Sequence, residues 1–244
     1  MFVWTKESIC WFQDATKMTS YYKDLASWIL CQPDYPLNLQ TLYDLGSGIS
    51  PVTPYLTPFV RHVVAVDLSS DALGAIPSYQ GINLVRLQKD WTIWRPERPA
   101  DLVLLSYCNG ILQQWNQLRS LSQRYIAIVS PLHEKEDTFG VREWFPHQMA
   151  PTPPGNRETA QDVEAFLQKY SISYSTTKIS AAFGQPLQDL SAFYRFMAFY
   201  FDLSPEDLTQ GYQQKYLQKE NDYYLLPHQK ESQLFFIPLQ SACE

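Results

Sequence analysis

The chain has 244 residues, 45% hydrophobic and 18% charged, with no repeat or long polar tract, so it is sized for one α/β core with an insertion rather than a disordered or solenoid protein. A formal net charge of -6 speaks against a general nucleic-acid backbone binder, whose affinity rests on Lys and Arg. Cys10, Cys31, Cys108 and Cys243 form no CxxC pair, the first turns carry no signal-peptide pattern, and the most apolar stretch, Phe193 to Phe201, contains Arg195 and is too short for a bilayer, so the expectation is a cytoplasmic protein with reduced thiols and no membrane association.

Tyr22, Leu25, Trp28 and Ile29 recur at helical spacing after the possible caps Thr19 and Ser20, predicting an N-terminal helix that stops before Pro33. Thr41 to Leu45 follows as a strand, Gly46 to Gly48 as a turn, and Ser50-Pro51 as an N-cap with a first-turn proline. Pro58 predicts that this helix is short. His62 to Asp67 is a second strand, Ser69 to Ile76 a helix, Ile82 to Leu87 a third strand and Asp101 to Ser106 a fourth. Ile111 to Leu121 is then a helix and Tyr125 to Val129 a fifth strand.

Phe139 to Gly155, rich in proline, is a long connection over the sheet. Thr159 and Asp162 form a capping-box pattern ahead of the stripe Val163, Phe166, Leu167 and Tyr170. Ile172 to Ile179 and Gln233 to Leu239 are strands expected to pair as a closing edge. Between them, at about 187–222, two helices form an insertion: Leu190, Phe193, Tyr194, Met197, Ala198 and Phe201 mark the first, and Ser204, Pro205, Asp207, Leu208, Tyr212 and Tyr216 the second. These helices read as a lid or wall, against the plainer possibility that the aromatic stripe simply packs on the sheet. Alternating strands and helices predict a doubly wound, mostly parallel seven-stranded sheet with ligands at the carboxyl ends of its strands. The whole of 1–244 is expected to be one domain: a helical segment 1–40, a cofactor-binding half 41–130 and a substrate half 131–244.

The chemistry concentrates between Leu42 and Asp67. Gly46 and Gly48 place two residues without a Cβ at the end of the first strand, where a ligand can approach the backbone. Asp67 ends the next strand, where a carboxylate can accept hydrogen bonds from two ribose hydroxyls. Asp44 separates two cofactor classes. Its charge would repel a pyrophosphate at the turn but would welcome an ammonium and a sulfonium. Pro51 stands where the third glycine of a dinucleotide motif belongs and lacks the N–H such a site would use, which disfavours an NAD(P)-dependent oxidoreductase.

The stretch Asp44-Leu45-Gly46-Ser47-Gly48 resembles motif I of the Rossmann-like (class I) S-adenosylmethionine-dependent methyltransferases. The resemblance continues through Val64 to Ser69, Lys89-Asp90-Trp91 and Asp101 to Leu105, covering roughly residues 40 to 130. The third small residue of that motif is Ser50 here rather than Gly. The resemblance implies that Gly46, Ser47 and Gly48 form the floor under S-adenosylmethionine. It also implies that Asp44 holds the amino end, Asp67 with neighbouring Leu68 the ribose side, Asp90 the adenine amine, and Tyr107 a place beside the methionine portion and the substrate. Trp91 is expected either to cover the adenine ring or to plug the sheet edge.

Methyl transfer draws much of its acceleration from positioning, so a signature base is optional. His133, after the fifth strand, is the candidate if a proton must leave the acceptor, with Tyr107 a second catalytic candidate. His147 could line the site from the proline-rich loop; His62 and His228 do not group with the others, and no metal is expected. Ser106-Tyr107-Cys108-Asn109-Gly110 lacks the Asn-Pro-Pro-aromatic motif of many DNA methyltransferases. With the acidic balance, this points to a small-molecule acceptor and no nucleic acid. A non-catalytic cofactor-binding or interaction module on the same fold is the alternative.

Overall fold

Apolar runs with strand propensity set the frame of the molecule, here a computed structural model that describes residues 3–32, 39–133, 138–146 and 158–239. After helices α1 (Lys6–Lys17) and α2 (Tyr21–Leu30), the core alternates β1 (Leu39–Leu45), α3 (Thr53–Leu56), β2 (Val60–Asp67), α4 (Ser70–Ala75), β3 (Asn83–Gln88), β4 (Ala100–Ser106), α5 (Trp115–Leu121) and β5 (Ser122–Pro131). The second half contributes α6 (Val141–Trp144), α7 (Ala160–Lys169), β6 (Ser175–Ala182), β7 (Gln185–Leu187), α8 (Leu190–Phe201), α9 (Gln210–Tyr216), β8 (Gln218–Lys219), β9 (Tyr224–Leu226) and β10 (Gln229–Pro238).

Seven strands form one sheet in the order β3-β2-β1-β4-β5-β10-β6. The first five run parallel, and β10 runs antiparallel to both its neighbours. This is the expected doubly wound α/β architecture, with helices on both faces. Its chain order reverses at β1, which pairs with β2 on one side and β4 on the other, and that switch point is where an open α/β sheet leaves a crevice.

Alternation along the strands feeds two cores. Leu42, Val63, Leu102, Leu104, Leu234 and Phe236 pack with α2 and α3 on one face, whereas Leu45, Val103, Ile126, Ile128 and Phe235 pack with α5 and α7 on the other. The expected pairing of the last two strands exists: Ser232 faces Ile179 across an antiparallel ladder. The edge of that pair is β6, while β10 is buried between β5 and β6.

Several expectations need correction. The N-terminal helix is preceded by α1, capped by a reciprocal Thr5–Ser8 pair. Ser50 does not cap a helix; α3 begins at Thr53, and Pro58 limits it to one turn before a 3-10 turn. Trp115 rather than Ile111 opens α5. Ser204 and Asp207 do bond reciprocally, but around an isolated turn, and the second insertion helix starts later, with Thr209 as its cap. The capping box of Thr159 and Asp162 is present ahead of α7.

The insertion also contains three short strands, in the order β7-β9-β8, which the sequence did not signal. Ala192, Phe193, Phe196 and Met197 of α8 bury themselves with Tyr212 of α9 and Leu226 of β9, forming a third core rather than a layer on the main sheet. Ala198 faces solvent. The proline-rich connection holds α6, and its part from His147 onward lies outside the described residues, as does Cys243. No helix among the described residues is long and apolar enough to cross a membrane.

Candidate functional site

The turn after β1 is built for close approach. Gly46 and Gly48 have φ of 63° and 51°, values that side chains rarely adopt, and Gly46 and Ser47 both donate backbone N–H groups to the Val66 carbonyl, at 2.8 and 3.1 Å. A Cβ on Gly46 would collide with the Cys108 sulfur, and one on Gly48 with the Trp4 indole. Backbone, thiol and indole therefore crowd the loop from the sides.

Asp44 lies beneath this turn, 3% exposed. Its Oδ2 accepts a very short hydrogen bond from the Ser50 hydroxyl and another, at 3.2 Å, from Thr53. Burial pushes its carboxyl up to about 6; the two hydroxyls pull the other way, and Asp67 adds to the rise. Ser50 itself has φ of 53°, a left-handed conformation held by its bond to Asp44 and by its N–H to the Ser47 carbonyl at 2.7 Å. Serine rather than glycine in the third place of motif I thus has a structural use: the hydroxyl satisfies the buried acid.

Asp67 closes the other side. Its Oδ2 accepts from the Gly48 N–H and its Oδ1 from the Ser69 N–H, each at 2.8 Å. The carboxylate therefore ties the end of β2 to the glycine turn and keeps further lone pairs. Leu68 is 43% exposed beside it, an apolar surface at the strand end.

Asp90 accepts from the backbone and hydroxyl of Thr92, at 2.9 and 2.7 Å, forming an Asx turn after β3. Trp91 is buried in the core with Val66, Val103 and Ile111, the sheet-plugging position of the two that the sequence leaves open. Gln117 donates to the Trp94 carbonyl at 2.6 Å and holds this segment to α5.

After β4, Tyr107 has φ of 56° and donates its N–H to the Val129 carbonyl at 2.9 Å, which aligns the ends of β4 and β5. Cys108 donates its thiol to the Leu45 carbonyl at 3.1 Å, and burial pushes that thiol up to about 12, so it stays protonated. The Glu158 carboxylate accepts from the N–H groups of Ile111 and Leu112 and pins the following turn.

His133 is exposed just beyond β5, near Glu231. Lys178, 2.7 Å from Glu231, is the main reason that carboxyl is held below its usual range. Tyr107 reaches the Glu231 carbonyl at 3.5 Å. His62 is an exposed residue of β2, and His228 meets the Phe139 ring 5.5 Å away; neither joins His133, and no group of three potential ligands exists among the described residues.

The sequence thus indicated the residues around the turn, and the structure brings Asp44, Gly46, Ser47, Gly48, Asp67 and Leu68 together, with Tyr107 entering through Cys108. The sequence did not reveal Trp4, Cys108 or Thr53 as neighbours of the loop. Ser50 carried a signal, as the small residue in third place.

No protein-family model matches the sequence, and no curated protein matches it. Among solved structures, the chain is similar to a protein of Bacillus halodurans C-125 assigned provisionally as a methyltransferase, at 14% identity and a TM-score of 0.54 over 90% of this chain and 98% of that one. It is similar to the YcgJ protein of Bacillus subtilis at 12% identity and a TM-score of 0.53, over 90% of this chain and 98% of that one. It also matches the magnesium protoporphyrin IX methyltransferase of Synechocystis PCC 6803 with bound SAH, at 11% identity and a TM-score of 0.50, over 96% and 89%. Strand order, switch point and these likenesses agree that the chain has the fold of the Rossmann-like methyltransferases.

Proposed function

We propose that this chain is an S-adenosylmethionine-dependent methyltransferase acting on a small-molecule acceptor in the cytoplasm. One observation carries the reading: a Gly-Ser-Gly turn with both glycines left-handed lies at the switch point of the sheet, above a buried Asp44 and against Asp67.

These residues fit the cofactor chemically. Gly46, Ser47 and Gly48 would lie under it, the two glycines presenting bare backbone. Asp44 would supply negative charge to the amino end, and Asp67, with lone pairs left after Gly48 and Ser69, would accept the ribose hydroxyls. Leu68 would pack against the adenosine and Asp90 would accept from its amine, with Trp91 shaping the floor below. Tyr107 would border the methionine portion.

When bound, the cofactor supplies an activated methyl group on a sulfonium. The chain's part is to hold an electron-rich atom in line with that methyl and to keep water away. His133 would take a proton from an oxygen or nitrogen acceptor, and Tyr107 would help orient that acceptor.

A non-catalytic module would be favoured if the aromatic residues of α8 filled the space beside Tyr107. They pack instead with α9 and the small sheet, which supports the enzyme reading. Calorimetry tests it: S-adenosylmethionine and S-adenosylhomocysteine should bind and NADH should not. Binding of NADH with neither of the others would make the chain an oxidoreductase.

A further inference from the structure

Because β10 runs antiparallel to β5, its first residues reach the end of the sheet where β4 and β5 finish: Ser232 pairs with Pro131, the last residue of β5, and Lys230 lies two positions further out. Alternation turns Lys230 to the same face as Ser232, Leu234 and Phe236, towards α2, while Glu231 turns to the opposite face and pairs with Lys178. Lysine is usually carried on the surface with its ammonium in water. Lys230 is half-buried, and its Nζ lies 4.5 Å from the ring centre of Tyr107, 4.6 Å from Phe183, 4.8 Å from Tyr21 and 5.5 Å from Tyr22. Four rings from three parts of the chain converge on one cation, beside the residue that follows β4.

Resting on the methyltransferase reading above, we infer that Lys230 sets acceptor specificity, and that the acceptor is an organic carboxylate carried on a planar apolar body. Ring faces stabilise the charged ammonium, so the cage holds a fixed positive point at the acceptor side of the site. A carboxylate would form a charge-assisted hydrogen bond with it. The Tyr22 hydroxyl lies 3.5 Å from Nζ and keeps its proton, because burial raises its pKa well above the usual value, so it offers a second donor. Tyr107 and Phe183 offer ring surface to the apolar body. A single ammonium flanked by rings suits a monoanion better than a phosphate, which usually draws on several N–H donors or an arginine fork.

The test uses the full chain saturated with S-adenosylhomocysteine and a panel of aryl carboxylates, each beside its primary amide and its aryl phosphate counterpart, titrated by ligand-observed NMR. The carboxylates should bind at least about tenfold more tightly than their amides. Lys230→Met should remove that preference while S-adenosylhomocysteine affinity stays within about twofold, and Lys230→Arg should retain it. Equal binding of acid and amide, a preference for the phosphates, or an unchanged preference in Lys230→Met would overturn the inference. The wild-type comparison needs no variant, so a poorly folding Lys230→Met still leaves a decisive result. Failure of wild type to bind S-adenosylhomocysteine would remove the methyltransferase reading itself, whereas binding without a carboxylate preference would remove only the assignment of Lys230.

Discussion

Asp44 combines a folding cost with the binding role proposed for it, and the two can be separated experimentally. Its carboxyl titrates at about 6 in the fold because it is buried, against ~3.9 in an unfolded chain. Between those values the folded chain holds a proton that the unfolded chain has released. Stability contributed by this group is therefore full below about pH 4, falls as pH rises to about 6, and stays lower above. Asp44→Asn should raise unfolding free energy at neutral pH by on the order of 2 kcal/mol and abolish that fall, while weakening S-adenosylmethionine about tenfold or more. Denaturant titrations at two pH values and calorimetry would check both halves.

Gly46 offers a second separation. Gly46→Ala meets a left-handed φ and the Cys108 sulfur together and should cost roughly 2–4 kcal/mol. Adding Cys108→Ala removes the clash, because the Cys108 Cβ lies 3.9 Å away, an ordinary contact, but leaves the backbone strain, so a urea double-mutant cycle should show only partial recovery. At this scale Asp44, the glycines and Asp67 were legible, since their spacing along the chain is itself the signal. Cys108 and Trp4 were not, because they reach the loop from about sixty residues downstream and about forty upstream.

Among the elements, the main strands and α7 were readable, because buried parallel strands appear as unbroken apolar runs and a capping box needs only four residues. Helix α1 was missed for a physical reason. It buries two sides: Ile9 packs with Ile49 and Ala72 near the glycine loop, whereas Trp11 enters the α8 core and touches Phe196. No single stripe results. The three strands of the small sheet are two or three residues long, too short for alternation to show.

The insertion with its own core should respond independently of the glycine turn. The buried Tyr212 hydroxyl donates to the Phe139 carbonyl at 2.8 Å and ties α9 to the segment before α6. Tyr212→Phe should destabilise the chain by about 1–2 kcal/mol, leaving an unsatisfied carbonyl. S-adenosylhomocysteine affinity should stay within about twofold, and calorimetry beside thermal unfolding would read both. A large loss of affinity would mean that this core governs the glycine turn after all.

For the whole molecule, mass action gives a direct expectation. S-adenosylhomocysteine at about a hundred times its dissociation constant should stabilise the fold by ~2.7 kcal/mol. That corresponds to an upward shift of roughly 5–10 °C in a chain of this size, with no shift from NADH, and differential scanning fluorimetry would show it. The sequence by itself determined the parallel sheet and the turn at its switch point, because hydrophobic period, strand-end acids and left-handed glycines are local properties written within a few residues. Only the tertiary structure decided that Ser50 quiets the buried Asp44, that α8 builds a separate core, and that Lys230 sits among four rings, that of Tyr107 included. Those outcomes depend on which distant segments meet, and chain spacing carries no record of such meetings.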